Sequence, residues 1–278
     1  MRRGLFLLPN LLTTGNLFCG FLSIVFAMTD AMRLANLPAF EQAFVHSAWL
    51  IMLAMVLDLF DGLVARVTKS ASRFGVEYDS LADMVSFGVA PAILVYLSVL
   101  RYHGKIGWIF ATIYVIGGAL RLARYNVQAG TTESKHFVGL PIPAAAGILC
   151  SYVLLSHWGG WYSESSKVFL NVAAGWYEEK ITFLNQVFIP ILTVLLAFLM
   201  VSTIDYPSFK VYATKEKFPF VVLFLCVIGL LVVIITPEIA GFSLMMLYLV
   251  YGLFTGTFKK GAKKVELIRE KRKWRKKL

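Results

Sequence analysis

The chain has 278 residues, of which 58% are apolar and only 15% charged, with a mean hydropathy of +0.72. Soluble domains hold about 45–50% apolar and about 25% charged residues, so this composition excludes a soluble globular domain, a disordered chain and a collagen-like one. The net charge is +11, but 11 of the 27 Lys and Arg follow Phe258, a terminal cluster rather than the basic face that nucleic-acid binding needs.

A helix needs roughly 20 apolar residues to cross a hydrocarbon core. Eight stretches approach that length, at approximately 10–28, 45–66, 84–101, 106–128, 140–157, 187–204, 218–235 and 239–258, so an all-α polytopic membrane protein with about eight transmembrane helices is expected. The first stretch is interrupted by Asn10, Thr13, Thr14, Gly15 and Asn16. Arg2 and Arg3 before it suggest a secretory signal, but a signal's apolar region is uninterrupted, so no cleavage is expected. Cys19, Cys150 and Cys226 lie far apart in apolar stretches, without metal or disulfide spacing, and read as packing residues.

Eight spans place both termini on one side. Outside the basic tail that side would carry 11 Lys and Arg against 5 on the other, which puts both termini in the cytoplasm. The segment 158–186 would then lie outside as a loop with an interfacial helix, and 259–278 forms a basic cytoplasmic tail. Attraction to anionic headgroups and a plain stop-transfer signal explain that tail equally well.

Across the second stretch and the turn after it run Asp58, Asp61, Gly62, Ala65 and Arg66, then Gly75, Asp79 and Asp83. A charged residue inside a span costs at least about 2.5–3.5 kcal/mol, so four acids at a membrane boundary point to function. Asp58 and Asp61 are spaced i,i+3, and Asp79 and Asp83 i,i+4, so on helices each pair shares a face. Gly62, Ala65 and Gly75 keep the backbone beside them bare for a ligand. Four carboxylates facing one another need cations, and oxygen-only ligation suits Mg²⁺, Mn²⁺ or Ca²⁺, with two ions to neutralise the charge. Such a site next to Arg66 fits a phosphate or diphosphate attached to a lipid. Buried ion pairs bridging helices are the plainer alternative, and they do not require small residues on the same faces.

The pattern Asp58-x2-Asp61-Gly62-x2-Ala65-Arg66-x8-Gly75-x3-Asp79-x3-Asp83 resembles the signature of the CDP-alcohol phosphotransferases at all eight of its fixed positions. The resemblance implies a polytopic enzyme, usually a homodimer, in which an acceptor hydroxyl displaces CMP from a CDP-alcohol. It implies that Asp58, Asp61, Asp79 and Asp83 hold Mg²⁺ or Mn²⁺, two ions in all, and that Asp83 is also the general base. Gly62, Ala65, Arg66 and Gly75 would line the CDP pocket together with Asp58. A positioned carboxylate is needed because an alcohol's pKa is too high for unaided attack at neutral pH. Direct attack is favoured, since no Ser, Cys or His stands in a nucleophile arrangement; a covalent intermediate on a carboxylate is left open.

Three further segments resemble the type II phosphatidylserine synthases: Leu8 to Gly20, Arg121 to Asn126, and Phe137 to Gly147. With the core motif the resemblance covers roughly the first 150 residues and implies CDP-diacylglycerol and L-serine as substrates. Arg121 and Arg124 are i,i+3 near the end of the fourth stretch and are candidates, with Asn126, to bind serine through its carboxylate. Snorkelling to the interface is the alternative for both arginines. Asn10 and Thr13 are candidates to hydrogen-bond the nucleotide, with helix capping as the competing role. The expected organisation is a transmembrane domain over 1–258, its catalytic core over about 1–205, in a prokaryotic plasma membrane with the active site facing the cytoplasm.

Glycerol 3-phosphate is the rival acceptor, giving a phosphatidylglycerol phosphate synthase, and an ether lipid would make an archaetidylserine synthase. A divalent-cation transporter is the rival from another class, but it would place its acids at mid-membrane with access from both sides.

Overall fold

The polar residues of the first apolar stretch do not break it. In the computed structural model, which describes residues 7–33, 40–68, 72–129, 137–156, 184–206 and 239–256, helix α1 runs unbroken over Leu7–Arg33. Pro9 sits in its first turn, where no N–H is needed, and Thr14 donates its hydroxyl back to the Asn10 carbonyl at 2.7 Å. Such back-bonding gives a hydroxyl inside a span an acceptor within its own helix. Helix α2, Phe40–Val67, packs along α1. Buried Ser23 and Ser47 join the two, hydroxyl to hydroxyl, at 2.7 Å, among the small buried residues Ala27, Ala48 and Ala54.

The third span begins earlier than its hydropathy suggests. Ser72 caps helix α3, Arg73–Asp83, by accepting from the Gly75 N–H at 3.0 Å. The helix passes through a π-helical turn, Met84–Val89, into α4, Ala90–Ser98, so the span is Arg73–Ser98 rather than the expected 84–101. Asp79 and Asp83 are therefore inside a spanning helix, not in front of it. The widened turn has a cause in the sequence. Pro91 has no N–H to give the Phe87 carbonyl, and the buried Tyr114 hydroxyl donates to that carbonyl instead, at 3.0 Å. The same turn rests on α1, where a Cβ on Gly20 would lie 2.6 Å from the Ser86 Cα.

Helix α5, Lys105–Ala129, carries Tyr114 and both candidate arginines. Helix α6, Ile142–Ser156, is apolar all round and almost wholly buried at the centre of the bundle, as such a helix should be. At 15 residues it is about 22 Å long, shorter than a full crossing and shorter than the expected 140–157. A second π-helical turn, Leu184–Phe188, leads into α7, Ile189–Val201, and Ile239–Gly256 forms α8. Two residues on either side of α6 and α7 pair antiparallel, with Phe137 opposite Tyr206 and Val138 opposite Asp205.

Six helices among the described residues are long and apolar enough to cross a membrane, rather than the eight expected. The difference lies in the shorter α6 and in 218–235, which is outside the described residues, as are most of the 158–186 loop, the 259–278 tail and Cys226. Cys19 and Cys150 are buried free thiols, consistent with packing. Apolar side chains such as Phe18, Leu59, Trp108 and Phe198 face outward, the arrangement of a helical membrane protein.

Candidate active site

Asp58 and Asp61 lie one turn apart on α2, and Asp79 and Asp83 one turn apart on α3. The fold turns the first three toward one another, with carboxylate oxygens of Asp58, Asp61 and Asp79 all within 4.8 Å. At that spacing two unit charges repel by about 3 kcal/mol at an effective dielectric constant near 20, so the group needs donors or cations. The supply of donors is small. Buried Thr13 donates its hydroxyl to Asp61, which is 6% exposed, while Asp79 keeps a buried Oδ1 with no hydrogen-bond partner among the described residues. An orphaned carboxylate oxygen beside two further carboxylates is a donor set that fits a hard divalent cation, and the three residues could hold one.

Asp83 stands a turn further along α3, outside that group of three. Asn16 of α1 donates to its Oδ1 at 3.3 Å, and Asp58, Asp79 and Arg121 are its charged neighbours. Asn16 has no exposed surface, and its backbone carbonyl accepts from the Ser86 hydroxyl at 3.0 Å. Sequence reasoning met Asn16 as an interruption of an apolar stretch and as part of the Leu8 to Gly20 segment, and gave it no role. The cost of burying an amide in a span was the available signal that it serves something.

Asn10 and Gly75 face each other across α1 and α3: a Cβ on Gly75 would lie 3.3 Å from Asn10 Oδ1. Beside them the Thr14 hydroxyl meets the Tyr78 phenol at 3.0 Å. Gly62 and Ala65 follow Asp61 on α2, as does Arg66, whose side chain is outside the described residues. The motif's small residues thus lie near its acids, as a bare approach requires.

The three residues proposed for the acceptor separate into different environments. Arg121 is 8% exposed and lies in electrostatic range of Asp83 and of Tyr248 from α8, and its Nε has no hydrogen-bond partner among the described residues. Arg124, one turn on, gives its guanidinium to the end of α7, donating to the carbonyls of Val201 at 2.8 Å and Ser202 at 3.3 Å. That contact satisfies carbonyls which a helix C-terminus otherwise leaves bare. Asn126 accepts from the Ser80 hydroxyl at 3.1 Å and donates to Glu77 at 3.2 Å, at the rim of a cleft of about 280 Å³ between α3 and α5. Tyr248, an electrostatic neighbour of Arg121, was invisible as a site residue because 127 positions separate the two in the chain.

Residues 6–182 match the CDP-alcohol phosphatidyltransferase family. The chain is 37% identical over 255 residues to a CDP-diacylglycerol–serine O-phosphatidyltransferase of Helicobacter pylori, covering 91% of this chain and 92% of that one. A protein of the same name from Bacillus subtilis is 34% identical over 75% of this chain and 94% of its own. An archaetidylserine synthase of Methanothermobacter thermautotrophicus is 35% identical over 72% of this chain and 69% of its own.

Proposed function

From the premise that the chain belongs to the CDP-alcohol phosphatidyltransferase family, we propose that it transfers the phosphatidyl group of CDP-diacylglycerol to L-serine, releasing CMP. The observation that carries this reading is one buried guanidinium, Arg121, set beside a cluster of carboxylates. A zwitterionic acceptor suits that guanidinium, with its carboxylate on Arg121. A doubly charged phosphate, as in glycerol 3-phosphate, would meet one buried side-chain cation among the described residues. The names of the bacterial relatives point to the same acceptor.

Asp58, Asp61 and Asp79, with Asp83, are proposed to hold Mg²⁺ or Mn²⁺. Two such ions, when bound, would stabilise charge on the transferring phosphoryl group and on departing CMP. Asp83 takes the proton of the serine hydroxyl as that oxygen bonds to the phosphatidyl phosphorus. The bond from that phosphorus to the CMP oxygen breaks in the same displacement. Asn16 fixes the Asp83 carboxylate, and Thr13 serves the nucleotide site by holding Asp61. Arg121 binds the serine carboxylate and so brings the hydroxyl toward Asp83. Gly62, Ala65, Arg66 and Gly75 with Asn10 make room for the cytidine diphosphate. The core over about 1–205 is proposed to do the chemistry, in a homodimer whose site and termini face the cytoplasm.

Product identification tests the reading. Purified protein given CDP-diacylglycerol, Mg²⁺ and isotopically labelled L-serine should place the label in a phospholipid with a free amine. No labelled lipid, with CMP still released to another alcohol, would overturn serine as the acceptor.

A further inference from the structure

The π-helical turn Met84–Val89 begins at the residue after Asp83, and helices on two sides hold it. On the α1 side, fully buried Ser86 donates its hydroxyl to the backbone carbonyl of Asn16 at 3.0 Å. The same Asn16 donates its side-chain amide to Asp83 Oδ1 at 3.3 Å. One residue of α1 is therefore bonded twice to the third span, by its backbone to the turn and by its side chain to the acid. Gly20, one turn further along α1, permits this approach, since a Cβ there would lie 2.6 Å from Ser86 Cα and 2.8 Å from Ser86 Cβ.

On the α5 side, Tyr114 has no exposed surface and donates to the Phe87 carbonyl at 3.0 Å. One turn later on the same face of α5, a Cβ on Gly118 would lie 3.9 Å from Gly88 Cα, so the two backbones run close together. Next along that face is Arg121, an electrostatic neighbour of Asp83. Residues 87, 88 and 83 thus meet 114, 118 and 121 in an antiparallel order, and the turn sits between the acid and the helix that carries the guanidinium. A π-helical turn is rare inside an α-helix and occurs often at functional sites; this one follows the acid directly.

We propose that Ser86 is a positioning residue for the proton transfer: its hydroxyl seats the π-helical turn on α1 at Asn16, which keeps the Asn16 amide on the Asp83 carboxylate. Tyr114 fixes the other side of the same turn to α5. The inference deepens the reading of Asp83 as general base and rests on it. Ser86 touches neither substrate nor ion on this account and acts through Asn16. A general base has to lie within hydrogen-bond reach of the proton it takes, so a small displacement of Asp83 costs rate while substrate binding is kept.

A double-mutant cycle on the purified full chain tests this, with kcat for CMP release read with the acceptor that the wild type uses. Ser86→Ala should lower kcat about 3–10-fold, the worth of one hydrogen bond between uncharged groups, and leave both KM values as they are. Asn16→Ala removes the amide on Asp83 but keeps the backbone carbonyl that Ser86 bonds. In that background Ser86→Ala should cost no further kcat, while its effect on Tm should be the same in both backgrounds. Ser86→Cys, similar in shape but a weaker donor, should fall between Ser86→Ala and wild type. An unchanged kcat in Ser86→Ala overturns this inference alone. So does a loss of kcat of equal size in both backgrounds, which would make Ser86 a packing residue, and so does a rise in either KM with kcat kept. An Asp83→Asn enzyme that still turns over overturns the reading of Asp83 as base, and this inference with it.

Discussion

Asn16 donates its side-chain amide to Oδ1 of Asp83 across 3.3 Å, joining the first and third spans at residues 67 positions apart. The amide is fully buried, and the carboxylate it holds is the one outside the group of Asp58, Asp61 and Asp79. An acid that must take a proton from a bound hydroxyl needs a fixed orientation, and Asn16 supplies it. Asn16→Ala should lower kcat by about 10–100-fold, the usual cost of losing such a support, with a smaller effect on either KM. Steady-state kinetics on both substrates check this, and a kcat within twofold of wild type would remove Asn16 from the mechanism.

Asp83→Asn keeps the shape and the Asn16 contact but cannot accept a proton. Turnover should fall by at least about 10²–10⁴-fold, while binding of CDP-diacylglycerol, measured by protection against thermal unfolding, should persist. Strong residual activity would show that another group is the base.

The two arginines of α5 should part company on mutation. Arg121→Ala should raise the KM for serine far more than that for the liponucleotide, because its buried Nε has no hydrogen-bond partner among the described residues and Asp83 is an electrostatic neighbour. Equal effects on both substrates would instead assign Arg121 to structure.

Arg124→Ala should act on stability. It strips the donors from the carbonyls at the end of α7, and leaving such groups unpaired costs about 1–3 kcal/mol, which a thermal melt in detergent can detect. Both KM values should move together. A serine-selective defect with an unchanged melting temperature would place Arg124 at the acceptor instead.

Chelation offers a test independent of turnover. If the acids hold ions, Mg²⁺ at 100 times its dissociation constant should stabilise the fold by about 2.7 kcal/mol over the chelated protein. Asp79→Asn should reduce that stabilisation, since Asp79 carries the carboxylate oxygen without a partner. An identical melting temperature with Mg²⁺ and with chelator would contradict the metal assignment.

The acids were legible in the sequence because helical spacing alone decides which of them share a face. Their partners were not. Nothing local links residue 16 to residue 83, or Tyr248 to Arg121; those contacts depend on how spans pack. Hydropathy also misplaced the start of the third span, because it begins counting after Asp83, while the helix begins where Ser72 caps it and carries Glu77, Asp79 and Asp83 in its first turns. The first span was legible as apolar but not as continuous, since the back-bonding of Thr14 and the bond from Thr13 to Asp61 are properties of the folded bundle. Arg121 and Arg124 look alike on paper. Only the position of α7 shows that one guanidinium is spent on its carbonyls.

The central claim is the transfer itself, and CMP release by the purified protein from CDP-diacylglycerol tests it most directly, with L-serine, glycerol 3-phosphate and inositol compared as acceptors. Release that depends on serine and on Mg²⁺ or Mn²⁺, and that stops on chelation, is the predicted result. Release driven only by another acceptor, or release that survives chelation, would contradict it.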